Sequence, residues 1–180
     1  AVPRVTQYRE SGRESDLNPN ILERNKAPRK AKNDIGEEGL EQIETAFEAS
    51  LFDYQHKWKV AGLTNRIRNI LKSRQIGATW YFAREAIVDA FHTGKNKIFL
   101  RASKAQAHVF RQYIVQFIKD TTGVELRGDP LVLPNGATLY FLGTNVRTAQ
   151  SYHGDLYMDE YFWIQSFQQF RKVASGMAMH

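Results

Sequence analysis

Three features of the sequence predict an α/β fold with a mainly parallel sheet covered by helices. From residue 66 onward, strand-like apolar runs alternate with segments of 3.6-residue periodicity. A loop of phosphate-binding type, "KSRQIGAT" (residues 72–79), stands between an apolar run and a helical one. A later apolar run, "DLYMDE" (residues 155–160), ends in two adjacent carboxylates. At 180 residues with 42% hydrophobic and 12% aromatic residues, the chain suffices for one domain with a proper core.

The elements follow in order. Residues 1–36 are polar, mixed in charge and without period, which predicts a flexible or partner-bound extension ahead of a domain at 37–180. Residues 36–51 predict a helix, with Leu40, Ile43, Phe47 and Leu51 on one stripe. "LFDYQHKW" (51–58) is a short aromatic segment, and "RIRNIL" (66–71) alternates as a strand entering a core does. After the loop, Trp80, Ala83, Ala86, Ile87, Ala90 and Phe91 keep helical spacing, with Gly94 as the stop. "KIFLRA" (97–102) predicts a strand, followed by a helix burying Val109, Phe110, Tyr113, Ile114 and Phe117. "LVLPNGATLYFL" (131–142) predicts a hairpin about its P-N-G turn, and residues 155–160 a last short strand.

Composition excludes several classes. There is no cysteine, hence no disulfide framework and no thiolate metal site. The five histidines lack ligand spacing, there is no H-E-x-x-H, and no nucleophile elbow supports Ser-His-Asp chemistry. No run approaches the roughly 20 apolar residues of a membrane span, and no signal-peptide core opens the chain. Because it starts at Ala1 and stops at His180 directly after "VASGMAM", the chain is expected to be a fragment. The net charge of +6 is uneven, since residues 61–128 hold twelve basic and four acidic residues, a net +8. Such a surplus attracts polyanions, whether nucleotide phosphates or a nucleic-acid backbone.

The loop departs from G-x-x-x-x-G-K-[ST], with Ala78 where the lysine belongs and Lys72 where the first glycine belongs. Gly77 and Thr79 fit, and Thr79 opens a helix at the position whose hydroxyl binds Mg²⁺. A loop wrapped around a phosphate chain brings its two ends to the same oxygens, so a lysine at its start can stand in. The nucleotide-binding candidates are therefore Lys72, Ser73, Arg74, Gln75, Ile76, Gly77, Ala78 and Thr79, against the alternative of an ordinary turn. Asp159 is the candidate for holding Mg²⁺ through water, and Glu160 for polarising the attacking water. The alternative for this pair is a turn or a helix N-cap. In "DYQHKW", Gln55 offers a donor and an acceptor to an adenine edge, and Tyr54 or Trp58 a ring to pack on it. A surface aromatic cluster is the alternative. "TNVRTAQSYHGD" (144–155) is either a γ-phosphate or DNA contact or a plain connecting loop.

Together, "KSRQIGAT" and "LYMDE" resemble the ATPase domain of large terminase subunits, the DNA-packaging motors of tailed phages, in the branch of temperate contractile-tailed phages. Tyr54-Gln55 match that family's upstream adenine motif, and "FLRASKAQA" (99–107) and "SYHGDLYMDEYFW" (151–163) are similar to its segments as well. The resemblance covers residues 51–163. It implies a P-loop NTPase fold of additional-strand, glutamate-switch type, truncated at the C-terminus ahead of an absent ribonuclease-H-like nuclease domain. It implies ATP and Mg²⁺, with Lys72, Arg74 and Glu160 as catalytic residues, Arg74 serving as an arginine finger in cis. It also implies double-stranded DNA, a small terminase subunit and a portal protein as partners of a homo-oligomeric ring in the host cytoplasm, with no membrane. Two other readings stand beside it. One is a helicase-like translocase of the same fold, disfavoured because Tyr161 and Phe162 follow Glu160 where D-E-x-[HD] is needed. The other is a DNA-binding or assembly module that binds nucleotide without hydrolysing it.

Overall fold

Three parallel strands, the central one buried along nearly its whole length, with helices laid against them, give an α/β architecture. The computed structural model describes residues 31–73, 75–143 and 152–160. In chain order the elements are α1 (Gly36–Ala49), α2 (Asp53–Thr64), α3 (Ala78–Thr93), β1 (Lys97–Arg101), α4 (Lys104–Thr122), β2 (Leu131–Val132), β3 (Thr138–Gly143) and β4 (Asp155–Met158). The sheet runs β2-β3-β1-β4. It is mixed, with β1 parallel to both β3 and β4 and β2 antiparallel to β3 through the hairpin.

Each helix has a physical reason for its limits. Glu37 and Glu38 face the positive end of α1, which buries Ile43 and Phe47. α3 starts after Gly77 and stops at Gly94, both left-handed (φ +70° and +68°) as its sequence period predicts. Ser103 caps α4, its Oγ accepting the Gln106 N–H at 3.2 Å. The aromatic segment "DYQHKW" is the start of a full helix, α2, opened by the Phe52 backbone N–H donating to the Gln55 side-chain Oε1 at 3.1 Å.

In the core, a row of rings crosses the sheet. Phe99 stacks on Phe141 (centroids 5.2 Å apart) and on Tyr157 (5.1 Å), its register partners on β3 and β4, and Phe110 of α4 packs against it at 4.7 Å. Lys97 at the start of β1 is fully buried, its ammonium paired with Asp89 of α3 and Asp155 of β4. Near residue 32 the described fold begins with Asn33, whose side chain donates to the Arg127 and Val132 carbonyls (3.1 and 2.8 Å) and accepts from the Arg127 N–H (2.8 Å).

The strand expected at residues 66–71 is absent. This segment has no ladder bonds, and Ile67 and Leu71 are exposed, Leu71 to 95%. Alternating side chains suit a strand, but a strand exists only where a neighbour completes its backbone bonds. Among the described residues, β4 is bonded to β1 alone and offers no such neighbour to the segment. Instead, Arg68 anchors it. Its Nη1 donates to the Trp58 carbonyl and to Glu85 of α3, both at 2.9 Å, and its guanidinium lies over the Phe82 ring at 5.4 Å.

The turn into β4 fixes the height of the strand. The Asn96 carbonyl accepts the Asp155 N–H at 2.9 Å, and its side chain bridges to the Thr138 N–H (2.9 Å) and the His153 carbonyl (3.1 Å). Gly154 passes so close that a Cβ would sit 2.3 Å from the Asn96 oxygen, at φ +153°. Gly154→Ala therefore forces the Asn96 peptide to move, and unfolding should become easier by about 1–3 kcal/mol. A denaturation midpoint equal to wild type would show that this turn does not hold β4 in place.

Candidate functional site

The carboxyl ends of β1 and β4 lie side by side, and the amino end of α3 faces them across Asp159. Ligands of open α/β sheets bind outside such strand ends, and the unpaired N–H groups of a helix start attract anions. Asp159 extends the ladder by one bond, its N–H donating to the Leu100 carbonyl at 3.3 Å. Its carboxylate is only 8% exposed. It accepts from Thr79 Oγ1 at 2.9 Å, lies 3.3 Å from Lys72 Nζ and pairs with Arg101 Nη2 at 2.9 Å. Residues 72, 79 and 159, singled out in the sequence for different reasons, thus meet on one carboxylate.

Most of the other expected residues lie in the loop, at the start of α2 and next to Asp159. Ala78, at the position where a phosphate-loop lysine ordinarily stands, is buried in the first turn of α3. Ser73 and Gln75 are exposed, and Gln75 and Gly77 both have positive φ (+61° and +70°), which turns the chain sharply into the helix. The Ile76 carbonyl accepts the Tyr54 hydroxyl at 2.8 Å, so Tyr54 clamps the loop with its ring half-exposed. Trp58 turns inward onto Tyr81 and Phe82 and serves packing. Glu160 lies beside Asp159, left-handed at φ +54°, with Arg101 Nη2 3.3 Å from its carboxylate. Arg74 and the polar segment 144–151 lie outside the described residues.

Gln55 is fully buried, its Oε1 occupied by the Phe52 N–H, while Nε2 has no hydrogen-bond partner and faces Gly77, 3.5 Å from where a Cβ would stand. A buried amide nitrogen without an acceptor is costly. Thr79 Oγ1 and Asp159 form the hydroxyl-plus-carboxylate pair that suits Mg²⁺, which keeps waters and shares substrate phosphates in place of an all-protein cage. No group of three or more His, Cys, Asp or Glu converges among the described residues. No described helix is long and apolar enough to cross a membrane.

Two sets of residues escaped the sequence reading. Arg101 closes "KIFLRA", and only the parallel register of β1 with β4 places it against Asp159 and Glu160. Arg68, Glu85 and Tyr81 form the polar knot under the loop. Glu85 binds Arg68 and accepts from the Tyr81 hydroxyl, so its hydrogen bond holds the Arg68 guanidinium above its ordinary range. Burial first, and then the charge of Glu85, pushes the Tyr81 hydroxyl well above the usual phenol value.

The family model "Terminase large subunit, T4likevirus-type, N-terminal" matches residues 69–180. The chain is 58% identical over 180 residues to a "Terminase, ATPase subunit" of Escherichia phage P2, covering 98% of this chain and 30% of that protein. It is 50% identical over 155 residues to a "Probable terminase, ATPase subunit" of Haemophilus phage HP1 (strain HP1c1), covering 86% of this chain and 25% of that protein. The chain thus spans between a quarter and a third of the length of these curated relatives. No solved structure matches it.

Because Arg68 replaces a ladder as the anchor of residues 65–73, Arg68→Ala should free that segment and cost about 1.5–3 kcal/mol through the lost charged hydrogen bonds. Hydrogen exchange of residues 65–77 reads this directly. Protection equal to wild type would assign the anchoring to other contacts.

Proposed function

The chain belongs to the terminase large-subunit family, and from that premise we propose that it is the ATP-hydrolysing motor part of a phage DNA-packaging protein, a P-loop NTPase of additional-strand, glutamate-switch type. The observation that carries this reading is the convergence of Lys72, Thr79 and Asp159 at the strand ends beside the start of α3. In this reading residues 1–36 are an extension and residues 37–180 the ATPase domain, with a nuclease domain and its endonuclease activity elsewhere in the parent protein.

The nucleotide lies between residues 72–79 and Asp159–Glu160, its base toward Tyr54 and Gln55. Backbone N–H groups at the start of α3 hold its phosphates, and Lys72 leaves Asp159 to pair with phosphate oxygens. Thr79 and Asp159 would hold Mg²⁺, which would supply neutralisation of phosphate charge when bound. Glu160 accepts a hydrogen bond from the attacking water and orients it. Arg74 stabilises the charge that grows as the γ-phosphoryl group leaves. Gln55 Nε2, orphaned in the structure, donates to the adenine edge, and Ser73, Gln75, Ile76, Gly77 and Ala78 supply the wall of the loop.

The partners follow from the same reading. Double-stranded DNA meets a basic surface drawn from residues 61–128, whose net charge of +8 exceeds what one nucleotide needs. A small terminase subunit and a portal protein complete the assembly, with the motor as a homo-oligomeric ring in the host cytoplasm.

In the complete protein, Glu160→Gln keeps shape but loses charge, so it should bind ATP normally and turn it over about two to four orders of magnitude more slowly. Lys72→Ala should lower both affinity and turnover, and adding Ala78→Lys should not restore them, since position 78 is buried. Nucleotide affinity and single-turnover rates decide the matter. Normal hydrolysis by Glu160→Gln would remove Glu160 from the reaction. Gln55→Ala should weaken ATP more than GTP, whereas equal losses would make Gln55 a loop support only.

A further inference from the structure

Residues 65–73 lead into the loop without ladder bonds, and the Arg68 guanidinium ties them to two helices. Nη1 donates to the Trp58 carbonyl of α2 and to Glu85 Oε2 of α3, both at 2.9 Å, while Nη2 donates to Glu85 Oε1. Two nitrogens thus meet two oxygens, and with 20% and 15% of the two side chains exposed the pair is little screened by water. The Tyr81 hydroxyl donates to Glu85 from the same helix and holds the acceptor in place. Gly62 of α2 leaves the room that the guanidinium occupies, since a Cβ there would stand 2.7 Å from its central carbon and from Nη1. Glycine inside a helix is unfavourable relative to alanine. This one has a packing reason, because the arginine passes where a methyl group would stand.

We propose that Arg68 is a positioning residue for the phosphate loop: clasped between α2 and Glu85, it holds the loop's entry so that Lys72 already faces the strand ends when a nucleotide arrives. The inference rests on the ATPase reading above. Lys72 is four residues further on, and four residues span at most about 14 Å, so fixing position 68 confines the ammonium. Arg68 and Glu85 also bracket the loop, since the chain between them runs through residues 72–79 and into α3. Joining the two ends at the base removes conformations that an open loop would have to give up on binding. A second tie lies nearer the helix start, where the Tyr54 hydroxyl donates to the Ile76 carbonyl at 2.8 Å. Helix α2 therefore holds the loop at two points, and the clasp is the more buried of the two. Its contribution is to ground-state binding, because a seated triphosphate orders the loop by its own contacts.

The test titrates the non-hydrolysable analogues AMP-PNP and GMP-PNP, with Mg²⁺, into the complete protein as wild type, Arg68→Ala, Gly62→Ala and the double variant. It also measures single-turnover hydrolysis at saturating ATP. Arg68→Ala should weaken both analogues about ten- to a hundredfold, the size of the charged hydrogen bonds that preset the loop. The saturated rate should fall much less. Gly62→Ala leaves every partner of the clasp in place but pushes the guanidinium aside. It should weaken both analogues in the same direction and by less, even though alanine favours the helix. In the Arg68→Ala background it should cost no further affinity, since the group it displaces is gone. Gly62→Ala also decides the matter alone if Arg68→Ala does not fold. Wild-type affinity in a folded single variant overturns the proposal, as does a saturated rate that falls as far as the affinity. A loss confined to AMP-PNP places the effect on the base side of α2 and overturns it too. If wild type binds neither analogue, the ATPase reading fails and takes this inference with it; if wild type binds and the single variants bind equally well, the inference alone fails.

Discussion

The Asp159 carboxylate is the point through which the described fold is tied together. A carboxylate withdrawn this far from water must be matched by cations and donors, or its burial is costly. The chain supplies a hydroxyl from the start of α3, an ammonium from the start of the loop and a guanidinium from the end of β1. Each partner belongs to a different element. The requirement of one buried charge therefore holds a helix, a loop and two strands at a common point, and the orientation of the loop follows from it.

A second buried charge does the corresponding work at the other end of the strands. Lys97 has no water to solvate it, and its two carboxylate partners come from α3 and β4. Between the two charged ends the ring row Phe141–Phe99–Tyr157 lies across one face of the sheet. A slip of one residue in β4 would turn Tyr157 away from Phe99 and carry Asp159 to the opposite face. Register is thus specified three times, by a buried amine, by ring stacking and by the Asp159 cluster.

These arrangements were unequally legible in the sequence. Thr79 and Asp159 were readable because each sits at an element end with a local signature, a glycine before a helix and an apolar run before carboxylates. The hairpin at residues 131–142 was readable from its P-N-G turn. Arg101 was not, since its neighbours in sequence say only "strand", and its meaning comes from residues 58 and 59 positions later. The segment 66–71 was misread for a related reason. Alternation reports which side chains can face a core, but a ladder is a property of two segments, and Arg68 and Glu85 satisfy this one differently. The helical extent of α2 was hidden by the mixture of aromatic and charged residues at its start, which gives no clear apolar stripe.

The separation of Thr79 from Asp159 has a consequence for the order of events during folding. Eighty positions divide these two residues, and both lie at the ends of elements that need the sheet before they are in place. Contacts of such long range are reached late, because the loop they close must be restricted before they give anything back. Helices α1, α3 and α4 can form locally, and β3 can join its hairpin partner, while the carboxylate cluster does not yet exist. It arises when β4 docks on β1. Until that step the chain has a helix start with open N–H groups but no acid opposite it, so the completed cluster is itself a report that the strands have found their final neighbours.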